Sequence, residues 1–184
     1  MFFPITKLTD LADADTLPVM KITSYPLEQR DYRPFAQAAA AVYEGGLLLR
    51  LWAFEAAPSP LSSLGFLLRG QSGASLAVFR QRDGGSRVLL EGTAFSPDTA
   101  RWQLSPYDGE DLQGVYWGWQ MLLPREDCIA LWGAPAGELG RLRGNFYKCC
   151  EDPACRHFGS FYPARFPGHA LEEESLGGYE IVDY

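Results

Sequence analysis

Phe35–Glu55 reads FAQAAAAVYEGGLLLRLWAFE, and the choice between helix and hairpin in this stretch decides the fold. The run of alanines suits a helix. Glu44-Gly45-Gly46, however, is a turn signal, and two glycines between two apolar runs read as a β-hairpin. The stretch is therefore read as a strand to Tyr43, a turn, and a strand from Leu47 to Phe54. Parity separates the faces of the second strand. Leu47, Leu49, Leu51 and Ala53 form an aliphatic side suited to a core. Leu48, Arg50, Trp52 and Phe54 lie on the other, where Arg50 beside Trp52 faces a groove or solvent.

Working outward, the same pattern recurs. Pro18–Tyr25 (PVMKITSY) suits an edge strand. Ser62–Arg69 and Ala74–Gln81 are strand-like runs separated by the turn Gly70-Gln71-Ser72-Gly73, and Asp83-Gly84-Gly85 turns the chain into a further strand, Arg87–Glu91. Ser105–Gly114 is a polar, acidic loop. Val115–Leu123 (VYWGWQMLL) is a strong strand stopped by Pro124, with Trp117, Trp119, Met121 and Leu123 sharing a core-type face. Glu126–Trp132 suits one or two helical turns. Gly144–Cys149 and Tyr179–Val182 are late strands. Short strands at this spacing predict an all-β fold, a two-sheet antiparallel β-sandwich of jelly-roll type with one or two helical turns. The 184 residues match one domain, spanning 1–184.

Composition agrees. Aromatic residues make up 14% of the chain, and 19 glycines and 13 prolines break it too often for long helices. A net charge of −7 argues against a nucleic-acid partner, which needs clustered Lys and Arg. No apolar run approaches a membrane-spanning length, so no membrane partner is expected. The first residues, MFFPITKLTDLADAD, lack a basic segment followed by a long apolar one, so a cytoplasmic location is expected. The oligomeric state is left open.

Catalytic signatures are missing. There is no G-x-S-x-G, Walker loop, H-E-x-x-H or G-x-G-x-x-G. Two histidines exclude chemistry built on several imidazoles. Cys149, Cys150 and Cys155 with His157 lack the separated second pair that structural zinc usually requires, so free cysteines are expected. No cofactor is expected from spacing. Asp108, Glu110 and Asp111 do not match a calcium loop and read as a solvated turn.

Binding chemistry fits the composition better. A sugar presents flat C–H faces and a rim of hydroxyls, which aromatic rings and polar side chains respectively satisfy. The C-terminal third carries Gly118-Trp119, Leu122–Pro124, RGNFYKC at Arg143–Cys149, HFGSFYP at His157–Pro163, and Gly178–Ile181. In that order these segments resemble the family 9-like carbohydrate-binding modules, with a looser fit through LLLRLWAFE up to about Ser63. The resemblance implies a β-sandwich that binds a mono- or oligosaccharide without catalysis, with aromatic rings clamping the sugar and calcium supporting loops. Carried over by position, Arg143, Asn145 and Tyr147 match the RGNFYK segment, His157 matches the family's His, and Phe161 takes the place of its Trp. With Arg50 and Trp52 these form the expected carbohydrate site, an open groove. The chain departs from the pattern where Phe161 offers a smaller platform, where SSLGFLLR lacks acidic residues, and where HALEEESLGGYEIV replaces a late family segment. Two other classes stay open: an interaction sandwich that has lost sugar binding, and a hydrolase on a jelly-roll scaffold converging on His157.

Overall fold

A computed structural model describes residues 2–31 and 33–183. In chain order the strands are β1 (Phe2–Leu8), β2 (Met20–Ile22), β3 (Phe35–Tyr43), β4 (Gly46–Phe54), β5 (Ser62–Arg69), β6 (Ser75–Gln81), β7 (Ser86–Glu91), β8 (Ser105–Pro106), β9 (Gly109–Asp111), β10 (Gly114–Leu123), β11 (Arg141–Cys150), β12 (His157–Ser160) and β13 (Gly177–Val182). The helix α1 (Arg125–Trp132) follows Pro124 and ends on Gly133, whose φ of 85° is left-handed.

The strands join in the order β7-β6-β5-β11-β13-β1-β3-β4-β10-β8, with β12 on β11, β2 on β3 and β9 on β10. Strand β1 runs parallel to both neighbours, β13 and β3, while the other pairings are antiparallel. A second link joins the halves where Ser24 and Ser160 exchange backbone hydrogen bonds of 3.1 and 2.9 Å. The two separate antiparallel sheets expected from the sequence are thus one curled, mixed sheet. The reason is β1: its Phe2–Thr6 ladder onto β13 and Thr6–Leu8 ladder onto β3 stitch the two halves together. Parallel pairing of distant segments leaves no local mark in sequence.

The curl wraps one core. Leu47, Leu49, Leu51 and Ala53 of β4 point into it, as parity requires, with Trp117, Trp119, Met121 and Leu123 of β10. The halves face each other there: the Trp119 indole packs 6.1 Å from the Phe66 ring and donates its N–H to the Leu64 carbonyl at 3.2 Å. The β3–β4 turn is Glu44-Gly45, with φ of 50° and 77°, the two-residue geometry that favours glycine. Trp102 and Trp132 are also buried, donating to the Asp127 carboxylate at 2.6 Å and the Ala74 carbonyl at 3.1 Å.

Two outer faces are partly covered. The turn at Leu11–Thr16 lies over β3 and β4, burying Leu48 and Trp52. Residues 164–176 lie over β5, β6 and β11, burying Leu67, Ala77 and Tyr147. The second cover stops short of the sheet's end and leaves a groove.

Candidate binding groove

The groove encloses about 610 Å³ on the outer face of β5, β6, β11 and β12. Register builds its floor from two rows. Gln81, Ser63, Cys149 and Phe158 are opposed across the four strands, and Arg87, Phe79, Gly65 and Tyr147 form the adjoining row. Gly65 is the necessary gap in the second row. A Cβ there would lie 2.3 Å from the Phe79 ring, so only glycine lets that ring lean across onto Tyr147.

Four rings line the hollow. Phe79 stacks on Tyr147 with centroids 5.6 Å apart and planes at 29°. Phe158 stacks on Phe166 at 5.6 Å and 27°. Tyr147 meets Phe166 at 86°, so the two stacks form a right-angled corner. The Tyr147 hydroxyl donates to the Ala170 carbonyl at 2.7 Å, which ties the rim segment to the floor. Phe79, Phe158 and Phe166 are each half-buried, leaving part of their surface to the hollow. Gln81, Arg87 and Glu151 bring an amide, a guanidinium and a carboxylate to it. The Arg87 guanidinium sits 5.4 Å from the Phe79 centroid. Burial pushes the Cys149 thiol up to about 12, so the floor carries no thiolate nucleophile at neutral pH. The arrangement suits a ring with an apolar face and polar edges.

Of the seven residues expected to share a site, Tyr147 alone lines this groove. Arg143 lies beyond its covered end, paired with Glu173 at 2.8 Å and donating to the Leu176 carbonyl. Asn145 shares the face of Arg143 and Tyr147 but is completely buried. Its amide donates to the carbonyls of Tyr162 and Ser175 at 2.9 and 2.8 Å, and its Oδ1 accepts from the N–H groups of Phe146 and Tyr162. All its bonding capacity is used inside the protein. Phe161 packs against the core, edge-on to Phe3 and Tyr162.

Arg50 and Trp52 lie together on the outer face of β4, far along the sheet. Trp52 is 9% exposed, packed edge-on to Tyr107. Arg50 lies over the same tyrosine, donating to Gln120 at 2.9 Å and to Asp15 at 2.6 Å. It borders a smaller hollow of about 390 Å³ that has no aromatic lining. A third hollow, of about 620 Å³, lies beside Glu55, Asp108 and Trp117. Its Trp117 ring already carries the Arg82 and Lys148 cations against it, at 5.8 and 5.6 Å.

His157 lies inside the sheet, on the face opposite the groove. Its Nε2 is 2.8 Å from Lys148 Nζ and its Nδ1 is 2.7 Å from the Cys155 carbonyl. Glu55 completes the cluster, 3.2 Å from Lys148 and accepting the Trp117 indole N–H at 2.9 Å. Burial, then the Lys148 charge, lowers the His157 pKa from 6.5 to about 4. Burial likewise pulls Lys148 down, opposed by Glu55. In the acidic loop, Asp108 and Asp111 accept backbone N–H groups of Gly118 and Gln113. Among the described residues no cluster of three or more His, Cys, Asp or Glu side chains is set to hold a metal. No described helix is long and apolar enough to cross a membrane.

Sequence reasoning missed Phe79, Phe158, Phe166, Gln81, Arg87 and Glu151. The available signal was parity on Ser75–Gln81, which puts Phe79 and Gln81 on one face.

No family model matches the sequence, and no curated protein matches it. Solved structures do. A candidate carbohydrate-binding protein from Bacteroides uniformis aligns over 99% of this chain and 100% of its own, with a TM-score of 0.72 and 16% identity. A family 9 carbohydrate-binding module from Caldicellulosiruptor kristjanssonii in complex with glucose aligns over 100% and 97%, at a TM-score of 0.67 and 9% identity. A family 9 module from the same organism in complex with cellotriose aligns over 100% and 95%, at a TM-score of 0.62 and 11% identity.

Proposed function

We propose that this chain, which has the fold of the family 9 carbohydrate-binding modules, binds a mono- or oligosaccharide without transforming it, in the groove walled by Phe79, Tyr147, Phe158 and Phe166. The observation that carries the reading is the right-angled pair of aromatic stacks with an amide, a guanidinium and a carboxylate at its edge. The half-buried rings of Phe79, Phe158 and Phe166 cover C–H faces of a pyranose, backed by the buried Tyr147, and Gln81, Arg87 and Glu151 serve its hydroxyls. Fold neighbours that hold glucose and cellotriose make gluco-configured sugars the first ligands to try. Tyr147 carries over from the expected site. Arg143, with half its side chain exposed, is proposed to act at the outer end of the rim if the ligand is an oligosaccharide.

The absence of catalysis is part of the proposal. His157 is shielded from solvent and held neutral beside Lys148, so it is poorly placed as a general base. The same proposal includes calcium at the loops and a cytoplasmic location.

Calorimetric titration with glucose, cellotriose and a panel of other sugars tests the reading. Binding that weakens by roughly tenfold or more in Phe79→Ala and Phe158→Ala, while both variants unfold cooperatively, supports it. No heat from any sugar at millimolar concentration, or binding indifferent to both substitutions, overturns it.

A further inference from the structure

We infer that Cys150 and Cys155 are a site of reversible disulfide formation that clasps the β11–β12 hairpin. Their Sγ atoms lie 3.4 Å apart as free thiols. Cys150 is the last residue of β11, and its ladder partner His157 is the first of β12. The hairpin loop therefore brings Cys155 back over Cys150.

The backbone of Cys155 is fixed from both sides. Its N–H donates to the Asp152 carbonyl at 3.1 Å, and its own carbonyl accepts from His157 Nδ1 at 2.7 Å. Asp152 is itself anchored, accepting from Ala154 N at 2.9 Å and Ser59 Oγ at 2.8 Å. A disulfide needs the sulfurs to approach to about 2.0 Å, a closure of roughly 1.4 Å that falls to side-chain rotation. The other thiols are not so placed. Cys149 points to the groove on the opposite face of β11, and Cys128 is sealed on the buried side of α1.

Access sets the order of events. Cys155 is partly exposed and Cys150 is buried. A small-molecule disulfide such as oxidised glutathione is attacked by the Cys155 thiolate, releasing one glutathione thiolate and leaving a mixed disulfide. Cys150 then loses its proton, its thiolate attacks Cys155 Sγ, and the second glutathione thiolate leaves. The protein gives up two protons and two electrons, and the oxidant becomes two thiols. Excess reduced glutathione runs the exchange backward. Burial and the Cys150 contact push the Cys155 thiol up to about 11, so oxidation quickens as pH rises.

The test incubates the full chain with oxidised glutathione, blocks remaining thiols by alkylation, and weighs the intact protein. Two fewer alkylated thiols than in the reduced protein are expected. Cleavage after Glu151 should then give two peptides joined through Cys150 and Cys155. Cys155→Ser should abolish the link and Cys149→Ser should keep it. A glutathione adduct that persists on Cys155, a link through Cys149, or no thiol lost overturns the inference. None of these readouts involves a sugar, so the result is independent of the carbohydrate reading. Cys149 and Cys150 stay on one peptide, so fragmentation of the linked pair from the unsubstituted chain reads which of them carries the bridge and decides the matter even if a serine variant fails to fold.

Discussion

Lys148 Nζ lies 2.8 Å from His157 Nε2, and neither side chain exposes any surface to solvent. The protons in this contact are fixed by the neighbours. A backbone carbonyl only accepts, so the nitrogen facing the Cys155 carbonyl, Nδ1, carries a hydrogen. The neutral imidazole then offers Nε2 as an acceptor to the Lys148 ammonium. That ammonium spends its donors on His157, Ser62 Oγ at 3.1 Å and Glu55 at 3.2 Å. The buried cation is neutralised by one carboxylate and kept from a second cation by an uncharged histidine.

Acid should undo this arrangement in a defined window. In the unfolded chain the imidazole takes a proton near its ordinary 6.5, but in the folded chain only near 4. Between those values the unfolded state binds more protons, so stability falls as pH drops. The slope approaches about 1.4 kcal/mol per pH unit and the total is about 3 kcal/mol. Glu28, held down to about 2 chiefly by its hydrogen bonds from Arg30, loses its contribution only below 4.5 and leaves the upper window to His157. Urea midpoints across the window measure the slope. His157→Gln should flatten it; an unchanged slope in that variant would assign the loss elsewhere.

Glu55→Gln should destabilise strongly, because it leaves the Lys148 charge buried without its counter-ion. The expected cost is about 3–5 kcal/mol. Lys148→Met alone strands the Glu55 carboxylate and should cost a similar amount. The double variant should be more stable than the sum of the two losses requires, since the second change removes the charge that the first uncovered. Denaturant unfolding of the four proteins gives the coupling, and additive losses would mean that the charges do not interact.

Much of this was legible one strand at a time. The Gly45 turn, the core face of Leu47–Ala53 and the inward Trp117 and Trp119 follow from parity and turn chemistry. Parity tells which residues share a face; it does not tell what lies across from that face. Asn145 and Tyr147 stand on one side of β11 as expected, yet residues 164–176 bury both, and only Tyr147 borders the groove. Arg50 beside Trp52 suggested an open face, but Asp15 and Tyr107 arrive from distant parts of the chain to occupy it. The groove itself depends on Gly65 and Phe79 being opposed, a register that neither strand announces alone.

Asn145→Ala should act on stability rather than on ligand affinity. The side chain satisfies two carbonyls and two N–H groups in a site without solvent access. Leaving them unpaired should cost at least about 2 kcal/mol. The fraction that stays folded should titrate with the affinity of the parent protein. Weakened binding at unchanged stability would place Asn145 at the ligand instead.

Gly65→Ala tests whether the groove works through its aromatic geometry. The added methyl would lie 2.3 Å from Phe79 Cδ1, so the ring must swing off Tyr147, the neighbour it now stacks on at 5.6 Å. Overpacking of this kind costs about 1–3 kcal/mol of stability. A sugar that relies on the stacked pair should lose roughly tenfold in affinity, equivalent to about 1.4 kcal/mol. Comparison with Phe79→Ala then separates geometry from fold damage. If the methyl acts only by displacing the ring, Gly65→Ala should weaken binding no further once Phe79 is already alanine, and the doubly substituted protein should recover stability because the clash is gone. Calorimetric titration and thermal unfolding of the three variants read both effects, and independent losses in affinity would show that the platform is not what holds the sugar.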